Sequence, residues 1–301
     1  MTHWTARIPV PVAAAGVLLA SIAFGLVPYF SRGLTESGLA PQAVAFYRYM
    51  LTALLLLPIL ARNLRHWREI LWGLVAGMTM GLGWIGYVSA LETIPASTVG
   101  VLYMTYPVFT VVIAWVLFAD PPTRRALLAS GLIVLAAFVA GGPAAVARGD
   151  IPALLLSLAA PFGFGVGICV LVHRLSRIEP LARIASVALG ATLGILPLIA
   201  GSSAAEVVPG DRETWVLVAG IALIAALVPQ LIYTVCSPII GTSRSAVFGS
   251  VELPTMFAVG VFAFGEELTA PQIVGCVLIL SAILLVQSRA TRNVTTTIAK
   301  H

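Results

Sequence analysis

The chain has 301 residues, 59% of them hydrophobic and 10% charged, with a mean hydropathy of +1.02. A soluble domain carries roughly 25% charged residues, so this composition excludes a solvated globular surface and with it a soluble α/β enzyme. The net charge of +5 is small and clustered, and anionic lipid on one membrane face explains it without nucleic acid.

The charges interrupt apolar runs of about 20 residues, the length needed to cross a hydrocarbon core of roughly 30 Å. In chain order the predicted spans are 10–31, 41–61, 70–91, 96–118, 125–144, 151–173, 181–200, 214–235, 243–264 and 271–288. The first follows Arg7 but is too long for a signal h-region, and similar runs follow it. The longest connection, 201–213, holds Glu206, Asp211, Arg212 and Glu213.

Arginine fixes the expected orientation. Arg7, Arg62, Arg65, Arg68, Arg124, Arg125, Arg174, Arg177, Arg183, Arg244, Arg289, Arg292 and Lys300 fall on one side of this span set, against only Arg32, Arg148 and Arg212 on the other. The positive-inside rule places the first side, and both termini, in the cytoplasm. The cysteines Cys169, Cys236 and Cys276 lie in apolar runs without a CxxC pair, and His3, His66, His173 and His301 sit in charged flanks. Neither a disulfide framework nor a zinc site is expected, and no cofactor.

Comparison of the halves predicts an internal repeat. Leu57-Pro58-Ile59-Leu60-Ala61 matches Leu196-Pro197-Leu198-Ile199-Ala200, and Trp72 through Gly77 matches Trp215 through Gly220. Pro107 aligns with Pro254, Phe24-Gly25 with Phe162-Gly163, and Gly131 with Gly275. The matches occur in chain order, which chance likeness between apolar segments does not produce. The expected architecture is all-α: ten transmembrane helices as two five-helix repeats, 1–147 and 148–301. Five is odd, so the repeats lie in opposite orientations, the inverted design of secondary transporters with substrate near the midplane.

Gly73, Gly77 and Gly81 recur every fourth residue, as do Gly163/Gly167 and Gly190/Gly194. Small residues at this spacing predict close helix contacts in lipid. Pro28, Pro107, Pro161, Pro229 and Pro254 fall within spans, and each removes a backbone donor. They predict fixed kinks, or, for the equivalent pair Pro107 and Pro254, hinges that bare a carbonyl at a cavity.

Glu252-Leu253-Pro254, Phe264-Gly265-Glu266-Glu267-Leu268-Thr269, then Gln272, Gly275 and Leu278-Ile279-Leu280 resemble the C-terminal signature of EamA-type transporters in the drug/metabolite transporter superfamily. Tyr106-Pro107-Val108-Phe109, Phe118-Ala119-Asp120 and Gly131-Leu132-Ile133 form a worn first-half copy, and Arg48 before a leucine-rich stretch fits the same pattern. The chain departs from it where Leu253 separates Glu252 from the proline. The resemblance, strongest to aromatic amino acid exporters of the YddG type, implies a bacterial inner-membrane carrier that exports amino acids or other metabolites. Cationic drugs are the alternative cargo.

Only Arg48 and Glu252 are ionisable well inside spans. Burying such a charge costs roughly 2.5–3.5 kcal/mol on insertion scales, so each needs a partner or a water-filled cavity. Glu252 is expected to hold an ammonium or a proton. Arg48 is expected to hold a carboxylate, cap a helix end or snorkel, or else to pair with Glu252. Aromatics gather in the same spans: Trp84/Tyr87 and Tyr103/Tyr106, each i,i+3 pairs on one helix face, with Phe162, Phe164 and Phe248. They predict an apolar lining for the substrate, or else lipid-facing bulk. The expected partners are a small-molecule substrate and the bilayer, with a monomer as the simplest assembly. A membrane enzyme would need a nucleophile with its base, a metal cluster or paired acids, and a channel a continuous polar pore. Neither pattern is in the spans.

Overall fold

The computed structural model describes residues 8–141, 150–175, 177–241, 245 and 248–287. Among them every regular element is helical: α1 (Val10–Gly25), α2 (Val27–Glu36), α3 (Pro41–Arg62), a 3₁₀ turn (Leu64–His66), α4 (Trp67–Ala90), α5 (Ala96–Tyr103), α6 (Tyr106–Phe118), α7 (Arg124–Gly141), α8 (Ile151–Ser157), α9 (Ala159–His173), α10 (Pro180–Ala200), α11 (Ala204–Val207), α12 (Arg212–Ala219), a π-helix (Gly220–Leu227), α13 (Val228–Ile240), α14 (Glu252–Phe264) and α15 (Ala270–Gln287).

Seven continuous or nearly continuous stretches are long and apolar enough to cross a membrane: Val10–Glu36, Pro41–Arg62, Leu64–Ala90, Ala96–Phe118, Ile151–His173, Pro180–Ala200 and Arg212–Ile240. Glu252–Phe264 and Ala270–Leu285 are shorter apolar helices. Within the span expected at 243–264, Ser245, Phe248 and Gly249 are helical, a turn follows at Ser250–Val251, and a second helix starts at Glu252. Residues 243, 244, 246 and 247, the ends of the spans at 144 and 288, and the repeat boundary at 147/148 lie outside the described residues. So do Arg7, Arg148, Arg244, Arg289, Arg292, Lys300, His3 and His301. The outer surface is apolar, with Phe138 77% and Phe262 88% exposed; an aqueous surface would not tolerate so large an apolar area.

Prolines divide the stretches. Helix restarts with a proline in its first two positions at α2 (Pro28), α6 (Pro107) and α13 (Pro229), where the missing N–H is one of the orphan donors anyway. By contrast Pro58 and Pro197 lie inside uninterrupted helices. Before Pro229 the chain winds as a π-helix over Gly220–Leu227, a geometry concentrated at functional sites.

The spine of the bundle is α4, which packs along α10, α9 and α3. Glycines set these contacts. A Cβ on Gly77 would fall on the Val187 carbonyl and the Ala191 nitrogen, and one on Gly190 on the Leu74 backbone. Gly73 meets Ser186, Gly81 meets Ala191, Gly163 meets Thr79 and Met80, Gly167 meets Met80 and Gly194 meets Met78. The glycine spacing therefore reads as predicted, as backbone contact between helices. The other main pairings are α3 with α10, α7 with α15, α6 with α9, and α1 with α13 and α14.

Polar groups mark the two ends. At one, Ala40 N donates to Glu206 O (2.9 Å), Gln42 Nε2 to Ser202 Oγ (2.9 Å) and Gln272 Nε2 to Thr98 Oγ1 (2.9 Å). At the other, Asn63 Nδ2 donates to Glu179 Oε1 (2.9 Å), His173 lies 3.8 Å from Asp120, and the Arg174 guanidinium stands 5.1 Å from the Trp72 ring centroid. Arg62, Arg65, Arg68, Arg124, Arg125 and Arg177 belong to this second end.

On the first end Asp211 caps α12. The Thr214 amide and then its hydroxyl donate to the carboxylate, holding its pKa below the ordinary aspartate value. Because the folded-state pKa is depressed, the cap is fully in force above the unfolded value of about 3.9 and is lost as pH falls through the lower folded value. Hydrogen exchange at the Thr214 amide, corrected for its intrinsic pH dependence, is expected to accelerate several-fold there. Asp211→Asn keeps an N-cap acceptor and should abolish that pH dependence.

Candidate functional site

The buried core is continuous from one half of the chain to the other and contains Tyr47, Trp84, Tyr87, Tyr103, Leu253, Met256 and Phe257. Within it, aromatic rings from three of the predicted spans meet. Trp84 contacts Tyr87 at 4.5 Å and Tyr103 at 5.6 Å between centroids, and Tyr106 contacts Phe164 at 4.9 Å with the rings at 87°. Such edge-to-face and tilted pairs are favoured by the ring quadrupoles. The i,i+3 spacing on α4 puts Trp84 and Tyr87 on one face, and the helix break at Met104–Thr105 turns Tyr103 and Tyr106 toward the same place.

Arg48 enters this cluster from α3. Its guanidinium lies 4.1 Å from the Trp84 ring centroid, a cation–π contact of up to about 2 kcal/mol when desolvated. The residue is 9% exposed, yet Nη1 is buried with no hydrogen-bond partner, and so are the hydroxyls of Tyr87 and Tyr49. A buried donor left unsatisfied costs about 1–3 kcal/mol, more when charged. Two of these groups, Arg48 and Tyr49, are neighbours on α3, and Tyr87 reaches the same place from α4.

Glu252 opens α14 in its first turn, where the helix dipole favours negative charge. It stands within electrostatic reach of Arg48, Tyr87, Tyr103, Tyr106 and Tyr233. Among the described residues no ion pair within 4.0 Å joins Glu252 to Arg48, although the two lie within electrostatic reach of each other. The Glu252 carbonyl and Thr255 abut Gly25 of α1, where a Cβ would not fit.

The structure brings together Arg48, Trp84, Tyr87, Tyr103, Tyr106, Phe164 and Glu252. It does not bring in Phe162, which is 46% exposed and meets only the Phe109 ring, 5.8 Å away. The helical turn of α9 explains this: Gly163 and Gly165 face α4 and α6, leaving Phe162 between them on the outer face and Phe164 on the opposite side. Phe248 packs in a separate cluster with Ala13, Val17, Cys236 and Ile240. Pro107 and Pro254 both sit just after helix breaks, Pro254 exposed. Sequence reasoning missed Tyr49, whose signal was its place beside Arg48, and Tyr233, which had none. No group of three or more His, Cys, Asp or Glu able to hold a metal exists among the described residues.

Residues 12–142 match the EamA-like transporter family. A search of curated proteins gave no match. A solved structure, titled only as the crystal structure of a protein, is 16% identical with a TM-score of 0.59, covering 93% of this chain and 98% of its own. At that identity the likeness speaks for the fold alone.

Proposed function

We propose that this chain is a secondary carrier for amino acids with aromatic or large apolar side chains, exporting them by alternating access across the bacterial inner membrane. The family match over the first half supports a membrane transporter of small molecules. The observation that carries the finer reading is the unpartnered Arg48 Nη1 beside the unpartnered Tyr87 hydroxyl, with Glu252 across the same aromatic cluster. In this reading Arg48 takes the substrate carboxylate, Glu252 the ammonium, and Trp84, Tyr103, Tyr106 and Phe164 the side chain.

The ten-span, two-repeat architecture belongs to the same proposal. Breaks just ahead of Pro107 and Pro254 recur at equivalent places in the halves. Packing partners also exchange in kind: α4 against α9 answers α13 against α1, and α6 against α9 answers α14 against α1. Half-helix ends at a midplane site are the usual device for holding charged substrate groups. The arginine-rich end is assigned to the cytoplasm.

Counterflow in proteoliposomes, with a panel of labelled amino acids and with or without a pH gradient, tests this reading. Saturable counterflow of an aromatic amino acid is expected, reduced at least about tenfold in Glu252→Gln, since a hydrogen bond to a charged group contributes about 1.5–3 kcal/mol. Absence of saturable flux for every aromatic and large aliphatic amino acid rejects it.

A further inference from the structure

Two helices in this protein end in the same way. After α14, Gly265 adopts a left-handed conformation (φ 65°) and Glu266 N bonds back to Gly260 O at 2.9 Å. After α6, Ala119 adopts it too (φ 53°), and Asp120 N bonds back to Ala114 O at 3.1 Å. Left-handed backbone is unfavourable for alanine, so the turn is held there by its surroundings. Each turn delivers a carboxylate at the same position, one at each end of the bundle.

The two carboxylates are in different states. Glu266 is seated on the N-terminus of α5, in the other half of the chain. Its Oε1 accepts from Ala96 N (2.6 Å), and its Oε2 from Ser97 N (3.2 Å) and Ser97 Oγ (2.9 Å). Its side chain is 9% exposed, with Arg32 Nη1 at 3.7 Å, and the Arg32 guanidinium lies 4.6 Å from the Phe264 ring centroid. A carboxylate on the free amides of a helix start combines charge-assisted hydrogen bonds with the helix dipole. Asp120 is 64% exposed, and among the described residues His173 Nε2 stands 3.8 Å from it.

We propose that Glu266 is a latch that closes its end of the molecule by clamping the α14–α15 turn onto α5, and that Asp120 is its released counterpart at the opposite, arginine-rich end. The structure is then a state with one end locked and the other free. This deepens the two-half carrier reading and rests on it, because a latch between halves has a purpose only if the halves move. Arg32 supports the latch from α2, its charge near Glu266 and its guanidinium against the residue before the turn.

Spin labels test it without any substrate. One pair, at the exposed Thr93 and at Leu268, spans the latched end; a second, at Thr123 and Arg177, spans the other. In lipid nanodiscs, Glu266→Gln is expected to raise a longer-distance component of the first pair from below about 10% to roughly half the population, the scale of a minor state made major, with the second pair shortening. Asp120→Asn, already released, should change neither. Ser97→Ala removes one of three bonds and should give a smaller shift of the same sign if Glu266→Gln does not fold. Unchanged distances in Glu266→Gln and Ser97→Ala overturn the latch, as does an equal opening in Asp120→Asn. Failure of counterflow beside a positive distance shift would count against the amino acid substrate and leave the latch standing.

Discussion

Arg48→Ala is expected to weaken substrate binding by about a hundredfold while leaving the fold intact. The guanidinium is buried at the cluster, stacked on Trp84 at 4.1 Å, and Nη1 has no protein partner. Its removal therefore breaks no protein hydrogen bond from that atom. Loss of a charge-assisted bond to a substrate carboxylate removes about 3 kcal/mol, which is about two decades of affinity. The concentration dependence of counterflow measures this. Thermal unfolding in detergent should change little, because the lost Trp84 contact is offset by removal of a buried charge with an unsatisfied donor. Arg48→Lys should not rescue, since an ammonium offers neither the planar fork nor the stacking face. Near-normal affinity in Arg48→Ala would remove Arg48 from the site.

Gly77→Ala is expected to lower the melting temperature by about 10 °C or to prevent folding. A single methyl there meets the Val187 carbonyl and the Ala191 nitrogen on α10, backbone atoms that cannot rotate away. Overpacking costs about 1–3 kcal/mol or more, and a domain of this size loses roughly 2–4 °C per kcal/mol. Gly190→Ala, which meets the Leu74 backbone from the other side of the same contact, should behave alike. Gly131→Ala is the control: nothing lies within 4 Å of its Cβ position, and helix propensity favours alanine by about 1 kcal/mol. Melting of detergent-solubilised protein followed by size exclusion separates these outcomes.

Much of the candidate cluster was legible because charge in lipid is expensive. Arg48 and Glu252 stand out in any apolar run, and the i,i+3 spacing of Trp84 and Tyr87 follows from helix geometry alone. Phe162 and Phe248 were less legible. Nothing in an apolar helix of even hydrophobicity tells which face meets a neighbour and which meets lipid, because both are greasy. On α9 that choice was made by Gly163 and Gly165, whose partners are backbone atoms of α4 and α6. The turn acid Glu266 was visible only through family resemblance. Its seat on Ala96 and Ser97 joins residues far apart in sequence, and no local pattern encodes it.

The sequence by itself determined the solvent, the helical character, the positions of the proline breaks and the glycine contacts, since each follows from hydrocarbon thickness, backbone hydrogen bonding or side-chain size. Tertiary structure alone decided which rings gather around Arg48, that Arg48 and Glu252 form no ion pair within 4.0 Å, and that one turn carboxylate is seated on a helix start while its counterpart is exposed beside His173. Those are relations between helices, set by how the rods rotate about their own axes as they pack, and an apolar sequence leaves that rotation open until the contacts are made.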